Sequence, residues 1–187
     1  GVCVRPVLGS TLDGTRENEE EQNDVFFDNN GHDYIDLGLS VKWATCNVGA
    51  TKPEDNGSYF AWGETSPKDS STKDAARANW GGTWRMPTDA EWTELRTKCK
   101  WTWTSQGGKN GYKVTGPNGN SIFLPAAGSR YGSGLSDEGY GGDYWSSSLN
   151  TDPDRPYFAR YVDFDSGEVG RYGNFRYFGL SVRPVSE

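Results

Sequence analysis

"RMPTDAEWTELRTKC", residues 85–99, reads as a helix from its first turn to its last. Thr88 is an N-cap residue with Glu91 three places on, the pair that forms a capping box by satisfying each other's backbone N–H groups. Asp89 and Glu91 suit the positive end of the helix dipole, and Arg96 and Lys98 the negative end. Trp92, Leu95 and Cys99 recur at helical spacing and mark one buried face. Upstream, "KDAARANWG" (73–81) predicts a second, short helix ended by its glycines.

Around these helices the pattern is that of strands. "DYIDLGLSVKWATCNVGA" (33–50) holds two short strand-like runs, and "GSYFAWGE" (57–64) another. "WTWTS" (101–105) alternates, and "YKVTGPNGNSIFLPA" (112–126) predicts a hairpin about Pro117-Asn118-Gly119. "GSRYGSGLSDEGYGGD" (128–143) reads as a long glycine-rich loop. "YWSSS" (144–148) resumes a strand, and "FARYVDFDSGEVGRYG" (158–173) predicts a hairpin turning at Asp165-Ser166-Gly167. The composition agrees. Of 187 residues, 14% are aromatic, eight being Trp, and 25 are Gly. That suits short strands, tight turns and ordered loops rather than a helical bundle.

The chain begins "GVCVRPV" (1–7) and nearly ends "GLSVRPV" (179–185), sharing Gly and the Val-Arg-Pro-Val core. Between the first of these and His32 lies a segment of linker composition, with an acidic run from Glu17 to Asp24. The expected organisation is therefore residues 1–7 as the last strand of a preceding repeat, or a strand docked on a free sheet edge. An acidic linker over 8–32 and one domain over 33–187 follow.

Net charge is −7, and no basic face for nucleic acid or for a membrane surface is visible. No apolar run is long enough to span a bilayer. Cys3, Cys46 and Cys99 include no CxxC or Cys/His cluster, so a zinc site is not expected. Cys46 and Cys99 read either as one disulfide of an exported protein or as two buried thiols.

"WATCNVGA", "YFAWGET", "NWGGTWRMPTDAEWTEL", "FLPAAGSR", "YWSSS" and "GLSVRPV" occur in that order. Together they resemble the Fibrobacter succinogenes major paralogous domain, common in surface proteins of Bacteroides and relatives, over roughly residues 33–185. The resemblance implies an α+β, C-type-lectin-like fold: small twisted antiparallel sheets, one or two helices and long ordered loops, with the termini brought together. It also implies tandem copies. The stretch 145–185 further resembles the variable region of diversity-generating retroelement target proteins, in which mutagenesis of template asparagine codons yields Tyr, Phe, Asp, Gly, Ser and Arg.

Several chemistries are disfavoured by the residues present. The lone histidine, His32, reads as a solvated surface residue, and no Ser-His-Asp or Cys-His set is available. The related formylglycine-generating enzymes use a late cysteine pair, and nothing after Cys99 is Cys. Sugar-binding C-type lectins use a Glu/Gln-Pro-Asp/Asn triplet, which is missing, and a Trp-Asn-Asp triplet where this chain has "WSSS". The loop acids Asp137, Glu138 and Asp143 offer at most a structural Ca²⁺ set; no other cofactor is expected. Asp163 and Asp165, two apart in a strand, share a face as a glycosidase pair would, but exposure is the plainer reading. Trp43, Trp62, Trp80, Trp84 and Trp92 read as core or loop-clamping rings.

In "RYVDFDS", Val162 and Phe164 alternate with Tyr161, Asp163 and Asp165, so the second set faces solvent if the first faces the core. Past the turn, "GRYGNFRYF" shows no regular period but is rich in the residue types that antibody loops use for contact. The expected ligand-binding patch is Tyr157, Phe158, Tyr161, Asp163, Asp165, Tyr172, Gly173, Phe175 and Phe178 on one face, over Val162, Phe164 and Val169. The function expected is non-enzymatic recognition of a protein or glycan ligand, on another cell or a phage host, by a bacterial or prophage surface protein anchored elsewhere in its chain. The alternatives are a structural tandem-repeat module, favoured if these aromatics are buried or split between faces, and a calcium-independent glycan-binding lectin.

Overall fold

Thr88 accepts a hydrogen bond from the Glu91 N–H at 3.2 Å, and Glu91 accepts one from the Thr88 N–H at 2.7 Å. This capping box opens the helix Asp89–Lys98. Arg85 clamps the same Glu91 through both terminal guanidinium nitrogens, at 2.7 and 2.9 Å. Trp92 and Leu95 are fully buried and Cys99 half-buried, the face that the spacing predicts. The shorter helix, Ala75–Trp80, is capped by Asp74 and ended by Gly81 at φ 69°, a left-handed conformation that suits a residue without a Cβ.

The computed structural model describes residues 25–28, 30–64 and 74–187. The "GVCVRPV" echo, Cys3 and the acidic run lie outside the described residues. In chain order the elements are β1 (Val25–Phe27), β2 (Asp33–Ile35), β3 (Lys42–Ala44), α1 (Ala75–Trp80), α2 (Asp89–Lys98), β4 (Lys100–Gln106), β5 (Lys109–Thr115) and β6 (Ser121–Pro125). Then come β7 (Ser129–Tyr131), β8 (Gly134–Ser136), β9 (Gly141–Leu149), β10 (Phe158–Asp165), β11 (Val169–Phe175) and β12 (Val185–Ser186). The fold is mixed α+β, with small antiparallel sheets ordered β1-β2-β3-β12, β4-β5-β6 and β11-β10-β9, and a β7-β8 ribbon.

Two hydrophobic clusters hold these layers. The larger joins Trp43, Trp92, Leu124, Tyr144, Val162 and Phe164, among others. Its rings meet edge to face or stacked: Trp43 and Trp92 at 4.8 Å, Trp92 and Tyr144 at 5.8 Å, Tyr144 and Phe164 at 5.7 Å. The smaller gathers Val48, Phe60, Met86, Trp145, Ala159, Leu180 and Val182. Tyr144 and Trp145 are neighbours in β9 and point to opposite faces, so this one strand serves both clusters.

Several expectations need correction. The linker assigned to 8–32 ends earlier, because Val25–Phe27 pair with Asp33–Ile35 as β1. Residues 128–143 are not one loop: β7 and β8 form a hairpin inside them, and β9 begins at Gly141. The segment 57–64 contributes only an isolated bridge, Phe60 to Leu180. The hairpin expected over 158–173 is present as β10 and β11, but its second strand runs further, the ladder continuing through Asn174 to Phe175 in the run read as aperiodic. His32 is not a solvated residue. It is half-buried, with its ring stacked 4.0 Å from Trp80. Cys46 and Cys99 stand as free, half-buried thiols, the second of the two readings, rather than as a disulfide. Burial raises both, Cys99 to about 11 with help from the charge on Glu94.

The Trp assignments agree with the structure. Trp43, Trp84 and Trp92 are fully buried, and Trp62 clamps a loop by donating its Nε1–H to the Ser146 carbonyl at 2.8 Å.

Candidate functional site

The register of the β10–β11 hairpin decides where the contact residues stand. Tyr161 lies opposite Tyr172, Asp163 opposite Gly170, and Phe158 opposite Phe175. Residues directly opposite share a face, and successive residues alternate. Tyr161, Asp163, Asp165 and Tyr172 therefore lie on one face of the hairpin, and Phe158, Gly173 and Phe175 on the other. The single patch expected from sequence is thus two groups. Val162 and Phe164 are buried in the larger cluster and Val169 packs against it.

Tyr161, Asp163 and Asp165 of the first group line an acidic cleft. Asp163 sits opposite Asp143 of β9, and Asp165 opposite Gly141. With Asp137, Tyr140 and Tyr161 these acids enclose about 320 Å³. Burial pushes Asp143 up to about 6, with further contributions from the charges of Asp163 and Asp137 against a hydrogen bond from Ser129. Asp163 is raised too, first by burial and then by Asp165. Tyr161 is half-buried, packed on the smaller cluster and held well above its ordinary value by burial. Asp165 serves the turn: its Oδ1 accepts the N–H groups of Gly167 and Glu168 at 2.7 and 3.0 Å. Among the described residues, no group of three or more His, Cys, Asp or Glu side chains is arranged to hold a metal ion. Of the loop acids, Glu138 accepts from Asn56 and pairs with Lys109 at 3.2 Å.

The second group forms a row of rings where the sheet ends. Phe158 meets Phe175 edge to face at 4.4 Å. Phe175 stacks on Tyr177 at 5.1 Å, Tyr177 on Phe178 at 5.2 Å, and Tyr131 of β7 closes the row 5.2 Å from Phe178. Tyr157, Tyr131 and Tyr177 are the most open, at 69, 65 and 58% exposure. Phe178 is half-buried because its other side packs on the smaller cluster. Gly173 is half-buried beneath this end. A Cβ there would stand 3.3 Å from the Phe158 ring and 3.0 Å from Asn150, so the glycine makes room for packing. One guanidinium group lies on the row itself, Arg155 over Phe158; Arg176 and Arg130, its neighbours in the chain, lie over Trp62 and Tyr59.

Sequence reasoning missed Tyr131 and Tyr140 and left Tyr177 outside the patch. One signal was present for Tyr131: Gly132-Ser133 between Tyr131 and Gly134 is a two-residue hairpin turn.

Comparison with protein-family models, with curated proteins and with solved structures returned no match. No helix among the described residues is long and apolar enough to cross a membrane.

Proposed function

We propose that this chain is a non-enzymatic recognition domain of C-type-lectin-like architecture, of the kind its motif string resembles, displayed on a bacterial or phage surface. Its contact surface is the row Tyr131–Phe178–Tyr177–Phe175 with Phe158 and Tyr157, rather than the whole hairpin. One observation carries this reading. Large rings stand exposed and stacked on one another at the sheet end: Tyr131, Phe175 and Tyr177 belong to neither hydrophobic cluster, and Phe178 alone of the four packs on one. Tyr and Phe in such a place supply broad contact area at low entropic cost. The motif segments support the scaffold half of the reading: Trp43 of "WATCNVGA", Leu124 of "FLPAAGSR" and Arg183 of "GLSVRPV" are all buried.

The structural tandem-repeat module is the second reading, favoured by the division of the hairpin residues between two faces. The two readings differ in what the rings do. A labelled chain titrated on a panel of bacterial cells should show saturable binding that Y131A/Y177A abolishes. A structural module instead shows no such binding, or binding that the double substitution leaves intact.

A further inference from the structure

We propose that the ring row takes a carboxylate-bearing segment of a protein partner; this rests on the row being the contact surface. The first argument is how the rings stand. Tyr177 lies within 17° of parallel to Phe175 and 24° of parallel to Phe178. Its faces are therefore turned toward its neighbours, and solvent meets ring edges. A sugar platform needs open faces. Ring edges carry the positive lobe of the aromatic quadrupole and suit an anion.

The second argument is charge. The protein is acidic overall, at −7, yet Arg155 stands over Phe158 of the row, and Arg130 and Arg176 adjoin its rings in the chain, one next to Tyr131 and the other between Phe175 and Tyr177. Arg155 pairs with Asp152 at 3.7 Å. Arg130 and Arg176 have no carboxylate within ion-pairing distance among the described residues. Their guanidinium groups spend one donor each on a backbone carbonyl, Arg130 on Ser133 at 3.4 Å and Arg176 on Pro156 at 3.2 Å. Glu138, which the charge of Arg130 helps to hold low, is committed to Asn56 and Lys109. Each guanidinium is pinned over a ring, Tyr59 at 5.1 Å or Trp62 at 5.8 Å, and keeps forked donors for a carboxylate. Positive ring edges and unpaired, pre-positioned guanidinium groups select the same partner chemistry.

The test is a displayed library of random linear peptides selected on the full chain. Enriched peptides should be rich in Asp and Glu. An enriched peptide should bind at least about tenfold more weakly when its acids are replaced by Asn and Gln, or when the chain carries R130Q/R176Q. R130K/R176K should retain part of the affinity, and added salt should weaken it. Matched thermal melts check the variants, and the peptide-side exchange decides alone if an arginine variant fails to fold. Peptides that depend on Tyr131 and Tyr177 but bind equally well as amides overturn the carboxylate inference and leave the recognition surface standing. Arginine-dependent binding of a uronate oligosaccharide without acidic peptides, or self-association through the row, also overturns it. No enriched peptide that depends on Tyr131 and Tyr177 removes both.

Discussion

Arg183 donates its Nε–H to Asn47 Oδ1 at 2.9 Å in the fully buried interior. Its other donors reach the carbonyls of Ala44 at 2.9 Å, Phe123 at 2.8 Å and Thr45. Asn47 in turn donates to the Asn56 carbonyl and the Tyr144 hydroxyl, which donates to the Pro125 carbonyl at 2.7 Å. The guanidinium is thus held by carbonyl and amide dipoles, and it ties the loop after β3, the strand β6 and the C-terminal segment together. Burial lowers its pKa, yet an arginine remains charged under these conditions.

Arg183→Lys should therefore be severe, because an ammonium cannot reproduce the planar fork and leaves carbonyls unsatisfied. A loss of about 3–5 kcal/mol is expected in urea denaturation. Asn47→Ala should cost about 1–3 kcal/mol. A loss below ~1 kcal/mol for Arg183→Lys would show that the network does not hold these segments together.

The helix gives a graded pair. Thr88→Ala removes one cap bond and should cost about 1 kcal/mol. Trp92→Ala empties a fully buried site whose Nε1–H also bonds the Trp145 carbonyl at 3.1 Å, and should cost about 3–5 kcal/mol. Equal, small losses in the same denaturation series would contradict the packing face.

Asp143 sets a pH signature. Its carboxyl is raised from 3.8 to about 6 in the folded chain, mainly by burial. A raised folded value means that this group's contribution is fully present below about 4 and is lost as pH rises through about 6. Asp143→Asn should then raise stability at neutral pH by about 1–3 kcal/mol and give little change at pH 4. The difference between parent and variant melts isolates this group from Glu91 and Asp28, whose lowered values act in the opposite sense. A constant difference across the range would refute the assignment.

Much of the fold was legible because its signals are local. A capping box at Thr88 and Glu91, a glycine stop at Gly81 and the Asn118-Gly119 turn each act within a few residues. The alternation in 161–165 was legible too, and it placed Val162 and Phe164 in the core. Extending the same period would have put Phe158 with Val162, on the face away from Tyr161. The residues between, Ala159 and Arg160, masked that continuity, and Gly173 and Asn174 hid the far end of strand β11. Tyr131 was not legible as a neighbour of Phe178, because their meeting depends on the Arg130–Gly179 bridge between distant segments. The four-acceptor setting of Arg183 is likewise long-range: its partners lie at 44–47 and 123.

The division of the hairpin residues yields the last prediction. Tyr172 is exposed on the cleft side, its hydroxyl 3.3 Å from Glu168, while Asp163 is half-buried opposite Asp143. Neither touches the ring row. A D163N/Y172S chain and a Y131A/Y177A chain therefore change different surfaces of one scaffold. Exposed substitutions rarely cost more than ~0.5 kcal/mol each, so Y131A/Y177A should melt within a few degrees of the parent; D163N also relieves a raised carboxyl and should not destabilise. A few aromatic anchors usually dominate an interface, so Y131A/Y177A should weaken binding to cells by about 30-fold or more. D163N/Y172S should leave it within about threefold, as peripheral contacts do. The opposite pattern, measured by the same cell titration, would move the contact surface to the acidic cleft and leave the ring row as packing at the end of the sheet.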